Sequence, residues 1–518
     1  MKHPALMNTT RNILITVLLT AIVFDRLFWQ QGIGVNLTLF ALLTLGILLA
    51  DHGWKQWSPE AKWSAAGAVI SAAMVTVQGS IIAMIAAFAT LFTCAAFVLV
   101  PRVRTTTSAL ITWAANLVMA PVGLLASVKE TLPGMPSVRN GWRSGRIVIV
   151  PVIVLFAFFQ LYRGGNSKFN AMTAGFMDGF ADRLSRFFED VFTPHTLFFL
   201  FAVAFAASLL MRSIGEWLAD HEYTLSDAMT RMRVKRPQWK LPLGMAALDR
   251  ERRMAVVLLV LVNALLLIVN AIDIHWIWFG FKLEPGMSLK EFVHEGTWLL
   301  IVSILLSMGI LLHQFRGNLN YHPKNRALVL LASAWLVQNF ILGISVFLRN
   351  YHYISFHGLA YKRIGMIVFL ALVLMGLVTL YVKIRQRKTF FYLLRVNAWA
   401  AFAVLVGLCT VDWDSTIVRY NLAHWNQGEI DVDNYLAMSD KVLPLLYSDV
   451  DRVRQQMSKH QKNEVRWVTK LDPEIFLIEL DRRKDRFMRR YDDQDPQSWT
   501  WADERTHRAL LAMNNGTH

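Results

Sequence analysis

The chain has 518 residues, of which 55% are hydrophobic and only 17% charged, and its formal net charge is +16. A soluble globular chain carries about a quarter charged residues. This chain instead repeats apolar stretches of about 20 residues, the length that crosses a hydrocarbon core of about 30 Å. The composition therefore excludes an ordinary soluble protein and predicts an all-α, polytopic transmembrane helix bundle.

Apolar stretches follow one another along most of the chain. The first begins at Ile13, has no small-residue cleavage site and is expected to be retained rather than removed as a signal peptide. The segments are 13–29, 33–50, 63–78, 80–100, 107–127, 146–162, 195–213, 254–278, 297–314, 326–348, 365–384 and 393–411.

The segment 107–127 is the ambiguous one, because basic residues flank it on both sides. Pro121 and Gly123 also fall inside it. These features predict a re-entrant or interfacial helix that is interrupted near Pro121. About eleven of the segments would then cross the membrane.

The positive charge lies in the part of the chain before Asp412. That part has a net charge of +19, whereas the tail from Asp412 onward has −3. With the N-terminus in the cytoplasm, 27 Lys and Arg residues of the membrane part fall inside and 10 outside. This is the positive-inside asymmetry of a membrane protein, so no nucleic-acid partner is expected.

The sequence divides into a transmembrane helical domain, 1–411, and a charged tail, 412–518. With eleven crossings, the tail is a small, mainly helical extracytoplasmic domain. Asp472, Pro473 and Glu474 form a helix start signal. The helix that follows is predicted to be an amphipathic surface helix, with Ile475, Ile478 and Phe487 among its apolar residues.

Ionisable residues within the membrane part are the first candidates for a functional site. Asp25 and Arg26 lie at the outer end of the first segment, where they form either an interfacial ion pair or part of a site. Asp273 and His275 lie near the outer boundary of the segment 254–278.

Polar amides lie deeper in two segments. Asn263 and Asn270 are two helical turns apart and so share one face of a helix. Gln338 and Asn339 are the most central polar pair. Such residues line a cavity or hydrogen-bond a neighbouring helix, and the second outcome is the commoner.

The predicted outer loop 349–363 contains many polar residues. Arg349, Lys362 and Arg363 oppose the general charge bias there, so they meet an anionic headgroup or substrate or, as we favour, pair with acids of the tail. His352 and His357 have no accompanying carboxylate, and no metal site is assigned. Membrane lipids are expected partners of the inner basic loop, whose candidate headgroup contacts are Arg231, Arg233, Lys235, Arg236 and Lys240.

Enzyme motifs are missing from the sequence. His294 and Glu295 lack the second histidine of a zincin, and the nucleophile-elbow, P-loop and kinase motifs do not occur. Cys94 and Cys409 both lie in apolar stretches and are interpreted as packing residues, which excludes a disulfide framework. No catalytic residue, metal or cofactor is therefore assigned.

Six segments of the chain form a recognisable pattern, namely FDRLFW at 24–29, GIGVNL at 32–37, SLKEFVHEGTWLL at 288–300, RNYHYISFHGLAYKR at 349–363, IVRYNL at 417–422 and DNYLAMSDKVLPLL at 433–446. These segments resemble bacterial membrane proteins grouped as domain of unknown function 4153 and its close relative 4173. The chain departs from their pattern at His294 and Thr297, where they have Arg and an aromatic residue, and at His357 and Ala360, where they have Tyr and Thr.

The resemblance implies a protein of the bacterial cytoplasmic membrane and brings no activity with it. The polar residues near the outer boundary lead to the hypothesis that the protein handles a solute or lipid, as a transporter does, through an outer cavity. One alternative is a sensor or assembly scaffold whose tail binds a periplasmic protein. Another is an enzyme acting on a lipid carrier, with Asp25 and Asp273 as its acid and base.

Overall fold

The computed structural model describes residues 10–131, 193–215, 217–230, 245–279, 289–424, 432–462 and 471–515, with four single positions between 155 and 173. Apart from one isolated β-bridge between Ala228 and Lys388, the regular structure of these residues is helical. The predicted all-α class is confirmed.

Seven α-helices lie in the described residues up to 224. Thr193 begins the sixth by accepting a hydrogen bond from the backbone N–H of Thr196, and a proline at the first helical position follows it. The helices are α1 Thr10–Phe28, α2 Val35–His52, α3 Pro59–Gln78, α4 Ile81–Leu99, α5 Thr106–Thr131, α6 Pro194–Leu210 and α7 Trp217–Thr224.

Ten further α-helices follow in the remaining described residues. A short π-helix, Ile274–Trp278, continues the first of them. They are α8 Met245–Asp273, α9 Leu289–Gln314, α10 Arg326–His357, α11 Tyr361–Gln386, α12 Phe390–Cys409, α13 Trp413–Ala423, α14 Leu443–Ser448, α15 Val450–Lys462, α16 Pro473–Asp492 and α17 Trp501–Asn515.

Eight helices in the described residues are long and apolar enough to cross a membrane, namely α2, α4, α5, α8 with its π-helix, α9, α10, α11 and α12. The chain is therefore a membrane protein with several apolar helices. Helices α1, α3 and α6 coincide with predicted segments but are not among these eight, because α1 carries three charged residues, α3 is less apolar and α6 is shorter. The segment 146–162 lies outside the described residues except at 155 and 159, so the number of eleven crossings stays a prediction.

Two local predictions are wrong. Pro121 and Gly123 do not interrupt α5, which is continuous over 26 residues. The predicted outer loop 349–363 is mainly helical, because α10 extends to His357 and only three residues separate it from α11. Gly358, with a φ of 78°, ends α10 in a conformation that favours glycine.

The described chain forms two compact units. The first has an aromatic core in which Phe24 contacts Phe28, Phe40 and Phe205. These contacts between aromatic rings pack α1, α2 and α6 against one another. The first unit comprises Met1–Val69, Ala87–Val103 and Ser108–Ala219, and the second comprises Ile70–Ala86, Arg104–Thr107 and Asp220–His518.

Helices α8 to α12 form the apolar core of the second unit. Gly343 of α10 allows a close approach to α11, since a Cβ there would lie 2.7 Å from Leu374 Cδ2. The buried Lys383 of α11 donates a hydrogen bond to the carbonyl oxygen of Phe315, 3.0 Å away, just beyond α9. Its positive charge therefore lies at the negative end of the α9 dipole.

The helices after residue 412 share a core with the start of α11. Ile364 of α11 belongs to the same buried apolar cluster as Ile417 and Tyr435. Helix α16 begins at Pro473 as predicted, and it buries Phe476, Leu480 and Phe487. Of the apolar residues that the sequence singles out in this helix, Phe487 is therefore buried, whereas Ile475 and Ile478 are about half exposed. The 411/412 domain boundary stays a prediction.

Candidate functional site

A cavity of about 600 Å³ lies where α9, α10 and α11 meet in the second unit. We call it the α10–α11 cavity. The end of α10, the turn and the start of α11, which together we call the hairpin, supply most of its wall. Two residues beyond α12 complete it. Its lining residues are Thr297, Trp298, Asn350, Tyr353, His357, Leu359, Ala360, Tyr361, Lys362, Arg363, Met366, Asn421 and Asn434.

The lining of this cavity is cationic. Lys362 is exposed and has no ion-pair partner among the described residues, and the half-buried Arg363 lies beside it. None of the lining residues in the described part of the chain is a carboxylate. Amide and aromatic side chains supply the other polar surface, so the cavity suits an anionic group better than a cation.

Arg363 is held in place by the hairpin itself. Its guanidinium donates a 2.8 Å hydrogen bond to the carbonyl oxygen of His357 and another to that of Gly358. It also lies over the ring of Tyr353, 4.7 Å from the ring centroid. The last carbonyls of α10 and the first turn of α11 are thereby joined through one cation.

The segment beyond α12 closes the wall through two contacts with the hairpin. Asn421 exchanges hydrogen bonds with the backbone of Leu359, at 2.6 and 3.0 Å. Tyr361 donates a 2.6 Å hydrogen bond to Asp414, whose other oxygen accepts one from Ser439. The predicted acids of the tail thus reach the hairpin, although Asp414 bonds a tyrosine rather than an arginine.

A buried lysine, Lys441, compensates the charges of Asp414 and the nearby Asp412. Lys441 Nζ lies 3.2 Å from a carboxylate oxygen of Asp412 and 3.9 Å from one of Asp414. Burial acts to raise the pKa of Asp412, but the Lys441 ammonium and hydrogen bonds from Ser415 outweigh it and hold that pKa below its usual value.

Thr297 contributes a buried hydroxyl to the cavity. Thr297 is 2% exposed, and its Oγ1 has no hydrogen-bond partner among the described residues. Leaving a buried polar group unpaired costs about 1–3 kcal/mol. Since Thr297 lines the cavity, a ligand there is one means of satisfying it.

Three of the sequence-predicted amides come together between α8 and α10. Gln338 donates a 2.7 Å hydrogen bond to Asn263 Oδ1, and Asn270 donates one of 3.0 Å to the carbonyl oxygen of Gln338. Asn339, on the next face, bonds the carbonyl oxygen of Trp335 within its own helix. None of these four amides lines the α10–α11 cavity.

The same pair of helices holds a buried ion pair. Arg349 Nη2 lies 2.7 Å from Asp273 Oδ1, and both side chains are less than 10% exposed. The predicted pairing of Arg349 with an acid of the tail is wrong, since its partner in the structure is Asp273. The neighbouring His275 is exposed on the π-helix. The pair positions the part of α10 that carries Asn350 and Tyr353.

The remaining predicted residues fall elsewhere. Asp25 and Arg26 belong to the first unit, where His195 contacts the Asp25 carboxylate at 3.0 Å and stacks near Trp29. The sequence did not single out His195, because it lies 170 positions away from Asp25. The headgroup candidates Arg231, Arg233, Lys235, Arg236 and Lys240 lie outside the described residues.

Asn350, Tyr353, Asn421 and Asn434 are cavity residues that the site prediction missed. All four lie within the segments that carry the family resemblance, which is the signal that identifies them. Thr297, His357 and Ala360, where the chain departs from the family's pattern, line the same cavity.

Comparison with known families agrees with this resemblance. The family described as "Domain of unknown function (DUF4153)" matches residues 38–448, which is most of the chain and includes every residue lining the cavity. No curated protein and no solved structure is significantly similar to it. The chain therefore belongs to the DUF4153 family of membrane proteins.

Proposed function

We propose that the protein binds an anionic amphiphile, a lipid or a solute with an apolar part, in the α10–α11 cavity. The observation that carries the proposal is the lining, whose described residues include Lys362 and Arg363 and no carboxylate. Trp298 is 63% exposed beside these cations, so an apolar surface continues outward from the polar one. The headgroup would occupy the cavity and the apolar part would lie against Trp298.

The positive-inside asymmetry supports an outward-facing cavity in the bacterial cytoplasmic membrane, with the N-terminus inside and the tail outside. Transport of the bound molecule is the fuller form of this proposal. Binding in the cavity is its first requirement and can be tested alone.

Replacing Lys362 with glutamine is expected to reduce the amount of bound anionic molecule about two- to fivefold, because an exposed charge contact contributes up to about 1 kcal/mol. The measurement is mass spectrometry of what co-purifies with the protein in native lipid discs. Lys55→Gln, at another exposed lysine, removes the same charge and should leave binding unchanged. Equal binding in all three proteins would contradict the proposal, and a stoichiometric protein in place of a small molecule would favour the scaffold alternative.

Replacing Thr297 with valine separates binding from stability. Without ligand, the variant should be more stable by about 1 kcal/mol, because it removes an unpaired buried hydroxyl. Binding should weaken by about tenfold if the ligand satisfies that hydroxyl. Thermal unfolding and lipid retention are measured together in the same discs.

Thr44→Val is the matched control for Thr297→Val. Thr44 is equally buried, but its hydroxyl donates a 2.9 Å hydrogen bond to the carbonyl oxygen of Phe40. This variant should lose a little stability and keep its ligand. A Thr297→Val protein that binds as tightly as the parent would remove Thr297 from the binding site.

A further inference from the structure

A second cavity, of about 640 Å³, lies at the start of α12 in the second unit. We call it the α12 cavity. The segment 224–230 forms one wall, and the turn after α9 forms another. Its side chains are mostly apolar, and among its lining residues are Met229, Arg316, Tyr321, Phe390, Phe391 and Leu394.

Hydrogen bonds hold the walls of the α12 cavity together. The N–H of Met229 donates to the carbonyl oxygen of Arg387 and that of Thr389 to the carbonyl oxygen of Asp227, both at 2.9 Å. Tyr321 donates a hydrogen bond of 2.5 Å to the carbonyl oxygen of Met229. The cavity is thus preformed by backbone pairing and does not depend on a ligand for its shape.

The charge around the cavity is positive. Arg316 is exposed and is the one charged residue among the described residues that line it. Arg387 lies over the ring of Tyr321, 5.0 Å from its centroid. Asp227, the nearest acid on the wall segment, is already engaged by Arg395 and, at 3.7 Å, by Arg104.

Arg387 has an unusual backbone conformation. Its φ is 52°, in the left-handed region that favours glycine. An arginine in this conformation gives up local stability, and its guanidinium lies on a ring that lines the cavity. The position thus combines backbone strain with a cation at the cavity.

The apolar side of the cavity continues onto the surface of α12. Phe390 is 60% exposed and Leu394 is 40% exposed, whereas Phe391 is buried at the base. An acyl chain lying along Phe390 and Leu394 would place its headgroup beside Arg316.

We propose that the α12 cavity binds an anionic phospholipid of the surrounding bilayer, with its phosphate at Arg316 and one acyl chain along α12. Charge complementarity selects this occupant, because a zwitterionic lipid carries an ammonium group beside its phosphate and Arg316 would repel that group. The proposal is independent of the α10–α11 cavity, since none of the lining residues is shared.

The test uses the full chain in lipid discs of phosphatidylglycerol mixed equally with phosphatidylcholine. After extraction into mild detergent, native mass spectrometry counts the lipids that remain bound. The parent protein should retain phosphatidylglycerol selectively. Arg316→Gln should lower that retention about fivefold, because a basic residue near an anionic surface contributes about 1 kcal/mol.

Lys324→Gln is the matched control, because Lys324 is exposed eight positions further along and does not line the cavity. It should retain phosphatidylglycerol like the parent, and all three proteins should unfold at the same temperature. The proposal is overturned if Arg316→Gln retains as much phosphatidylglycerol as the parent, if both lipids are retained equally, or if both variants lose it alike.

Discussion

Replacing Asp273 with alanine is expected to lower the free energy of unfolding by about 3–5 kcal/mol, because it leaves the Arg349 guanidinium buried without its partner. Both side chains are less than 10% exposed and their charged atoms lie 2.7 Å apart. The measurement is chemical unfolding of the purified protein in lipid discs, followed by the fluorescence of its tryptophans. Since Arg349 immediately precedes Asn350 of the α10–α11 cavity, ligand binding should also weaken.

The control for this prediction is the double variant Asp273→Leu/Arg349→Met. Apolar residues in place of a whole buried ion pair are often neutral or stabilising, because the cost of burying both charges disappears. The double variant should therefore recover most of the stability that Asp273→Ala loses. If the single variant unfolds like the parent, the pair is not energetically coupled in the folded protein.

Replacing Lys441 with methionine is expected to be comparably severe, at about 3–5 kcal/mol, because Asp412 and Asp414 both lose the cation that compensates their burial. The helices after residue 412 share their core with the start of α11, so their amide hydrogens should exchange faster with solvent. Hydrogen exchange by mass spectrometry measures this directly. Lys484→Met, at a lysine that lies over the Tyr447 ring without an ion-pair partner among the described residues, is the control.

The pH dependence of this effect has a definite sign. In the parent protein the pKa of Asp412 lies below its unfolded value of about 3.9, so its pairing stabilises fully above about pH 4 and the stabilisation is lost as the pH falls through the folded pKa. In Lys441→Met the burial of Asp412, which raises its pKa, is opposed only by the Ser415 hydrogen bonds and by the exposed Arg505, 3.9 Å away. The stability difference between the two proteins should therefore narrow as the pH falls from about 6 towards 4, and a constant difference would contradict this account.

Much of the helical architecture was predictable, because apolar stretches of about 20 residues have one common solution in a membrane. The segment 146–162 lies mostly outside the described residues, and each of the other eleven predicted segments contains a helix. The start of α16 was also predictable, since the combination of Asp472 and Pro473 acts through the local backbone alone. Signals of this kind need no tertiary information.

The outer loop was predicted wrongly because polar side chains do not by themselves indicate irregular structure. Residues 349–357 look like a loop because they carry Arg, Asn and His, yet no residue breaks the helix before Gly358. Their polar side chains are accommodated by Asp273, by Arg363 and by the cavity. The prediction at Pro121 failed for a different reason. A proline within a helix can be tolerated where neighbouring groups compensate the lost hydrogen bond, and α5 continues through Pro121.

The candidate site itself could be predicted only in part. The sequence singled out Lys362 and Arg363 as cations in an unusual place, and both line the α10–α11 cavity. The resemblance marks the segment that contains Asn421 but could not place that residue at the hairpin, because Asn421 lies some 60 positions further along and reaches the hairpin only through tertiary contacts. Pairings such as Asp25 with His195 have the same character, since sequence separation carries no information about them.

Helix α10 has 32 residues and is therefore about 48 Å long, whereas the hydrocarbon core of a bilayer is about 30 Å thick. A straight helix that begins at the membrane boundary with Arg326 would bring Arg349, some 23 residues later, to the level of the lipid headgroups. An amphiphile would then enter the cavity sideways from its own leaflet and keep its apolar part among the acyl chains. Occupancy would follow the mole fraction of that amphiphile in the leaflet, and diluting the aqueous sample would leave it unchanged.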